Sequence, residues 1–454
     1  MIFSKNFKAA LIGRRLSHSI SPEIHRLIAS YDYSLLELEN ESEVISLLNR
    51  MKTGNGINAL NVTIPYKETV FPALNRISQT SRSIGAVNTI IVRGFELYGF
   101  NTDLSGLISM LKTANIEING RKALILGSGG TSKTAFQALR TLGASEVIII
   151  SRTGTDNYLN LYKHFDAELI VNTTPVGMYP NNGAGLYITE DGQLEASDKS
   201  SLPEFPLERF GKLKACVDLI YNPSRTPLLT RADELGIIAI NGLHMLVAQA
   251  VRARDIFLGK TEDDDAPFDA DESQYISDLT RTVEVKNKSI GLVGMPGCGK
   301  TSIGKRIAKL AKRRFIDIDE MIVNKIGMTV PEIFAKYGEE GFRDFESDCV
   351  SIASKESGCV IAYGGGSPLR EINRRLIRQN STVFWIERPI SLLSRENRPL
   401  SQALNEEEMW RLYIRRKPYY EAVSDFKVSA GNGNDGIEAA AERILLISGL
   451  KDII

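Results

Sequence analysis

The chain has 454 residues, with 55 lysines and arginines against 55 aspartates and glutamates, and hydrophobic and charged fractions of 43% and 24%. That length and composition suit about three domains of a globular protein, each able to bury its own core. A net charge of zero leaves no electrostatic footprint for nucleic acid or a membrane surface, so any anion binding has to come from local sites.

The N-terminus, MIFSKNFKAALIG, lacks the apolar core of a signal peptide, and no run of 18 apolar residues appears, so a cytoplasmic protein without membrane or nucleic-acid partners is expected. Cys216, Cys298, Cys349 and Cys359 form neither a zinc spacing nor a disulfide framework. A predicted strand, KAALIG, leads through a polar loop to the helix-like PEIHRLIAS. Polar clusters follow at Ser17–Pro22, Asn61–Lys67, Gly85–Thr89 and Asn101–Asp103, residue types that favour caps and turns when taken singly. Further on, RKALILG enters the loop Gly127-Ser-Gly129-Gly130-Thr-Ser132, which opens the helix-like KTAFQALRTLG. This is the context of a dinucleotide-binding turn, with Ser132 in place of a third glycine. The next strand, EVIII, ends in Ser151-Arg152-Thr153. An acid there would bind ribose hydroxyls, whereas a guanidinium and two hydroxyls suit a 2′-phosphate, which favours NADP(H) over NAD. The strands AELIVNTT, KACVDLIY and GIIAING complete an alternation that implies parallel sheets of an α/β fold.

From Thr261 to Ser273 the composition turns acidic and poor in large apolar residues, which reads as a linker. Beyond it, KSIGLV runs into GMPGCGKT and then the helix-like SIGKRIAKLAK. This strand–loop–helix is a complete phosphate-binding loop for ATP or GTP. The backbone of Gly294, Gly297, Cys298 and Gly299 would cradle phosphate, Lys300 would reach its outer oxygens, and Thr301, followed by Ser302, would offer a hydroxyl to Mg²⁺. In FIDID, Asp317 and Asp319 either orient Mg²⁺-bound water, bind an acceptor hydroxyl, or cap the helix EMIVNKIG. Arg343 lies in GFRDFE, Arg398 in ENRPL and Arg416 in RRKPYYE. Gly364, Gly365 and Gly366 end a buried-looking strand, which suggests close backbone approach to a ligand. Arg374, Arg375 and Arg378 read as a solvated helix face.

Taken together and in order, SHSISP, NVTIPYK, GAVNT, GFNTD, GSGG, SRT, NTTPVGM, DLIYNP and GLHMLVAQA strongly resemble shikimate dehydrogenase over nearly all of residues 1–260. The resemblance implies reversible, NADP-dependent reduction of 3-dehydroshikimate to shikimate, with quinate as a rival substrate. It implies Lys67 and Asp103 as the catalytic pair, and Ser19, Ser21, Thr63, Asn88, Asp103, Tyr221 and Gln249 as substrate contacts. Gly242 joins Gly127, Gly129, Gly130, Ser151, Arg152 and Thr153 at the cofactor. His18 and His25 are expected to be structural.

Residues 288–454 resemble shikimate kinase, a small P-loop kinase with a five-stranded parallel sheet and a mobile lid. That resemblance implies that Asp319, Arg343, Gly365, Gly366 and Arg416 bind shikimate, that Arg398 is the lid arginine acting on the transferring phosphoryl group, and that Asp317 supports Mg²⁺ beside Thr301. The expected organisation is an α/β substrate domain (1–103, completed by 240–260), a Rossmann NADP domain (104–239), an acidic linker (261–287) and a P-loop kinase domain (288–454).

Overall fold

The computed structural model describes residues 7–17, 19–54, 56–198, 201–393, 405–431 and 433–453. Three main sheets divide it. The first has six strands in the spatial order Asp32–Glu37, Lys8–Gly13, Ala59–Val62, Thr89–Arg93, Glu96–Phe100 and Arg76–Ile77. It is mixed rather than parallel. Thr89–Arg93 runs antiparallel to both of its neighbours. Only Gly94 and Phe95 join it to Glu96–Phe100, and Gly94 has φ +64°. Two residues suffice for a hairpin but not for a parallel crossover.

The second sheet is parallel throughout, in the order Ile238–Ile240, Ala215–Asp218, Leu169–Asn172, Lys122–Leu126, Glu146–Ile150. The order reverses beside Lys122–Leu126, so a crevice opens at the carboxyl ends of its strands. A third parallel sheet runs Phe315–Asp317, Val360–Ala362, Ser289–Val293, Ser381–Glu387, Phe426–Ser429. Its middle strands are apolar and buried on both faces, as helix-covered parallel strands should be.

The helix Leu243–Phe257 leaves the second sheet and packs back on Asp103–Thr113 beside the first. Gly106 allows this approach: a Cβ there would lie 2.8 Å from the Met245 carbonyl and 3.1 Å from Gln249 Cβ. Close packing of these two helices is what carries Gln249 to the first sheet's edge.

The acidic stretch is packed against the first domain rather than a free tether. Asp264 is buried, and its carboxylate accepts from Ser78 Oγ and the Asn101 amide, both at 2.6 Å. Asp265 accepts from Thr80 Oγ1 at 2.7 Å. Asp269 then caps the helix Ala270–Asn287 in a capping box with Glu272. The acids serve as acceptors and caps. Ile276, Leu279 and Val283 bury one helix face against Val247 and Val251, and Arg313 donates to the carbonyls of Val285, Lys286 and Lys288 at its far end. That is the place where a cation best satisfies unpaired carbonyls.

Nor is Arg374–Arg378 a solvated face. Arg375 is 13% exposed and pairs with Glu204, Glu234 and Glu371. Arg378 reaches Asp233 at 3.8 Å, and Arg374 donates to the Pro368 and Leu369 carbonyls. Arg375 and Arg378 join the second sheet's domain to the third's, while Arg374 stays within the third's. No helix among the described residues is long and apolar enough to cross a membrane.

Candidate active sites

A cleft of about 590 Å³ lies between the first two sheets and is lined by Ser19, Ser21, Thr63, Lys67, Asn88, Asp103, Tyr221, Gly242 and Gln249. Residues spread over more than two hundred positions of sequence thus meet in one place. At its centre Lys67 Nζ stands 2.6 Å from Asp103 Oδ2, with the side chains 17% and 9% exposed. Asp103 opens a helix, where its charge suits the N-terminal dipole, and its amide donates to Asn101 Oδ1 at 3.1 Å. Asn88 Oδ1 accepts from the Thr102 amide at 2.9 Å, while Asn88 Nδ2 donates to Thr102 Oγ1 at 3.1 Å. Thr102 Oγ1 in turn lies 3.4 Å from Gln249 Oε1. Ser19 and Ser21 share a hydrogen bond of 3.2 Å. Burial raises the Tyr221 phenol above its usual value, against a hydrogen bond from Ser19 that favours ionisation. The phenol therefore stays a neutral donor and acceptor.

Along the cleft wall runs a chain that single residues did not announce. Tyr33 donates to Asn61 Oδ1 at 2.8 Å, and Asn61 Nδ2 donates to Thr89 Oγ1 at 3.1 Å. Thr89 Oγ1 donates to Asn88 Oδ1 at 2.9 Å, so the chain orients the Asn88 amide. Asn61 could have been found, because it opens NVTIPYK; Tyr33 carries no local signal. His25 stacks on Tyr33 at 3.7 Å and lies 2.7 Å from the Tyr31 hydroxyl. Burial, with the nearby Arg254 charge, lowers its pKa to about 3, so it is a neutral packing residue. His18 lies outside the described residues.

At the second sheet's switch point, Gly127 has φ +102°, and a Cβ would press on Thr174 Cγ2 at 2.8 Å. Gly129 faces open space and leaves the helix Gly130–Thr141 with no side-chain cap, so the Gly130 and Thr131 amides are available to an anion, while that of Ser132 donates to the Gly129 carbonyl at 3.0 Å. Ser132 is buried and donates to the Gly129 carbonyl at 2.6 Å, filling the third glycine's place with a side chain that binds the turn. Ser151 is buried at the end of the adjacent strand, while Arg152 and Thr153 are exposed beside the loop. Gly242 has no room for a Cβ, which would collide with the Leu219 carbonyl. This donor set fits a dinucleotide with an added phosphate.

The second site is built on Ser289–Val293. Gly294, Gly297 and Gly299 take φ of +145°, +82° and +103°, a loop that only glycines form without strain. The helix Lys300–Ala311 has no side-chain cap. Lys300 is buried and donates to the carbonyls of Gly294 at 2.8 Å and Met295 at 3.0 Å. Cys298 is buried inside the loop, consistent with packing. Thr301 Oγ1 donates to Asp317 Oδ2 at 2.8 Å, and Asp317 Oδ1 accepts from the Asp319 amide at 3.0 Å. Asp317 thus caps its helix and faces the phosphate loop at once. Its pairing with a hydroxyl suits a Mg²⁺ site, since both oxygens are hard ligands. Ser302, Asp319 and Gly365 line the same cleft, of about 240 Å³.

Arg343, 5% exposed, pairs with Glu346 at 2.6 Å; Glu346 is 1% exposed and also accepts from Ser367 Oγ at 2.7 Å. Glu346 was missed, although a carboxylate three residues after an arginine on a helix is a readable signal. A Cβ on Gly366 would collide with the Arg343 guanidinium, and one on Gly365 would lie 2.7 Å from Pro296. Arg416 is fully buried and donates to the Gly365 carbonyl at 3.2 Å, which Tyr420 also engages at 2.5 Å. Arg398 lies outside the described residues.

Comparison with known proteins finds relatives of both parts of the chain. A family model described as the shikimate dehydrogenase substrate binding domain matches residues 11–90, and one described as shikimate kinase matches residues 296–447. The shikimate dehydrogenase (NADP(+)) of Clostridium perfringens is 33% identical over 269 residues, covering 55% of this chain and 91% of that protein. The shikimate dehydrogenase (NADP(+)) of Carboxydothermus hydrogenoformans is 34% identical over 275 residues, covering 55% and 90%. A solved chorismate mutase/shikimate 5-dehydrogenase fusion protein from Clostridium acetobutylicum is 32% identical with a TM-score of 0.50, covering 60% of this chain and 97% of that one.

Proposed function

The chain belongs to the shikimate dehydrogenase family and continues into a shikimate kinase domain, and from that premise we propose that it carries out two consecutive steps, reducing 3-dehydroshikimate and then phosphorylating shikimate on its 3-hydroxyl. The carrying observation is the Lys67–Asp103 pair at 2.6 Å, set among hydroxyl and amide side chains that match a hydroxylated acid. Such a substrate needs many polar partners, because each buried group left unmatched is costly.

NADPH, when bound, supplies hydride. As the ketone oxygen gains negative charge, the Lys67 ammonium stabilises it and delivers a proton, while Asp103 holds that ammonium in place. Ser19, Ser21 and Tyr221 bind one end of the substrate; Thr63, Asn88 and Gln249 bind the other. Arg152, with Ser151 and Thr153, would hold the 2′-phosphate. In the kinase, ATP supplies the phosphoryl group, and the amides of Gly297–Ser302 with Lys300 hold its phosphates. Thr301 and Asp317 would hold Mg²⁺. Arg343 and Arg416 clamp the carboxylate of shikimate, and Asp319 accepts from the attacking hydroxyl. Arg398 is assigned to the transferring group by the motif alone. The domain division 1–103 with 240–260, 104–239 and 288–454 is supported by the three separate sheets.

A coupled assay with 3-dehydroshikimate, NADPH and ATP–Mg²⁺, omitting one component at a time, tests the scheme. Lys67→Ala should abolish NADP-linked oxidation of shikimate and leave kinase turnover nearly intact; Lys300→Ala should do the reverse. Faster turnover of quinate than of shikimate in the first site would overturn the substrate assignment.

A further inference from the structure

The helix Glu371–Gln379 of the kinase domain ends against two loops of the dinucleotide domain. Gln379 is 1% exposed, and its side chain is used at both ends: Nε2 donates to the Gly183 carbonyl at 2.6 Å, and Oε1 accepts from Asn182 Nδ2 at 2.8 Å. Its carbonyl accepts from the Arg225 amide at 2.9 Å and Ser224 Oγ at 2.8 Å. Asn380 Oδ1 accepts from the Ser224 amide at 2.9 Å. Arg225 reaches back to the Arg378 carbonyl at 3.1 Å and Asp425 at 3.2 Å.

Both loops belong to the dehydrogenase cleft. Met178–Asn181 and Tyr221 line it, and the Tyr179 amide donates to the Asn222 carbonyl at 3.0 Å, tying one loop to the other. Neither segment has regular structure of its own, so the ladder hydrogen bonds that would hold a strand are missing. We propose that Gln379 and Asn380 are positioning residues for the dehydrogenase, holding its two cleft loops in register from the neighbouring domain. The inference rests on the dehydrogenase reading given above.

The geometry makes the effect one-sided. On the dinucleotide domain the contacts fall at the carboxyl ends of the strands, where its chemistry lies. On the kinase they fall at the opposite end, because Asn380 precedes the strand Ser381–Glu387 and its carbonyl accepts from Ser289, at the start of the strand that ends in the phosphate loop. A five-residue strand separates them, about 17 Å.

The test uses the full chain carrying Gln379→Leu, Asn182→Ala and both together, with NADP-linked oxidation of shikimate and kinase activity measured on each preparation. The KM for shikimate in the oxidation should rise about 5- to 50-fold, with kcat changed less than about threefold and both kinase constants unchanged. The double variant should be no worse than the poorer single one, because the two residues make one contact. If Gln379→Leu fails to fold, Asn380→Ala removes the acceptor for the Ser224 amide, together with the longer donations from its Nδ2 to Asn222 Oδ1 and the Ser354 carbonyl, and should show the same split. Dehydrogenase constants within about twofold of the parent, or a parallel fall in both activities, would overturn the proposal. Absence of NADP-linked activity in the unsubstituted chain would instead defeat the dehydrogenase reading.

Discussion

Gly366→Ala tests the part proposed for Arg343 in the kinase. The backbone at this position has φ −106° and ψ −7°, which alanine adopts freely, so the substitution perturbs only through its methyl group. That methyl would overlap Nη1, Cζ and Nη2 of Arg343. Carbon needs about 3.5 Å from such atoms, so the guanidinium has to withdraw by roughly 1 Å. The Arg343–Glu346 contact, 2.6 Å in the parent, would then leave hydrogen-bonding range. Because both groups are buried, the lost pairing should destabilise the domain by about 1–3 kcal/mol, a fall of several degrees in its melting temperature. On the proposed assignment, two charge-assisted contacts from Arg343 to the substrate carboxylate would be displaced as well. At about 1.5 kcal/mol each, these raise the KM for shikimate roughly 100-fold. Steady-state kinetics with shikimate and ATP varied in turn would read this, with NADP-linked oxidation on the same sample as the internal control. An unchanged KM for shikimate alongside a lowered melting temperature would refute the assignment of Arg343 to the carboxylate. So would an equal rise in the KM for ATP.

Arg152→Asp should raise the KM for NADP about 10- to 100-fold and improve use of NAD, since an acid repels the 2′-phosphate and accepts from ribose hydroxyls; unchanged cofactor preference would remove Arg152 from the site. Asp218 offers a pH test. Burial pushes its carboxyl up to about 6, against hydrogen bonds from Thr226 and Asn172 that favour ionisation, while the unfolded group titrates near 3.8. The folded state holds this proton more tightly, so its contribution to stability is full below pH 3.8 and is lost as pH rises through about 6. Asp218→Asn should therefore gain stability over the parent by about 1–2 kcal/mol more at about pH 7.5 than at about pH 5, read from urea midpoints. A gap that does not change with pH would show that Asp218 does not titrate in that window.

Features that depend on a few consecutive residues were legible in the chain itself. The phosphate loop needs left-handed backbone at Gly294, Gly297 and Gly299, which glycine supplies locally, and a strand and helix on either side complete the site. Lys67 lies in the turn after Ala59–Val62, Asn88 just before Thr89–Arg93 and Asp103 at a helix start, segments that short motifs shape, and all three line one cleft. Charge was a poor guide. The acidic run from Thr261 reads as a solvated tether by composition, yet Asp264 is buried because Ser78 and the Asn101 amide come to it from more than 160 positions away. Arg375 reads as a surface residue until Glu204 and Glu234, 171 and 141 positions distant, are brought against it.

The sequence by itself therefore determined the chemistry: which backbone can cradle phosphate, which side chains can stabilise an alkoxide, and which cation suits a 2′-phosphate. Those properties reside in residues and short segments. Tertiary structure alone decided which charges are paired, which acids are buried, and that Gln379 and Asn380 of the kinase domain hold the loops of the dehydrogenase cleft. Each of these depends on which distant surfaces meet, and local spacing carries no record of that.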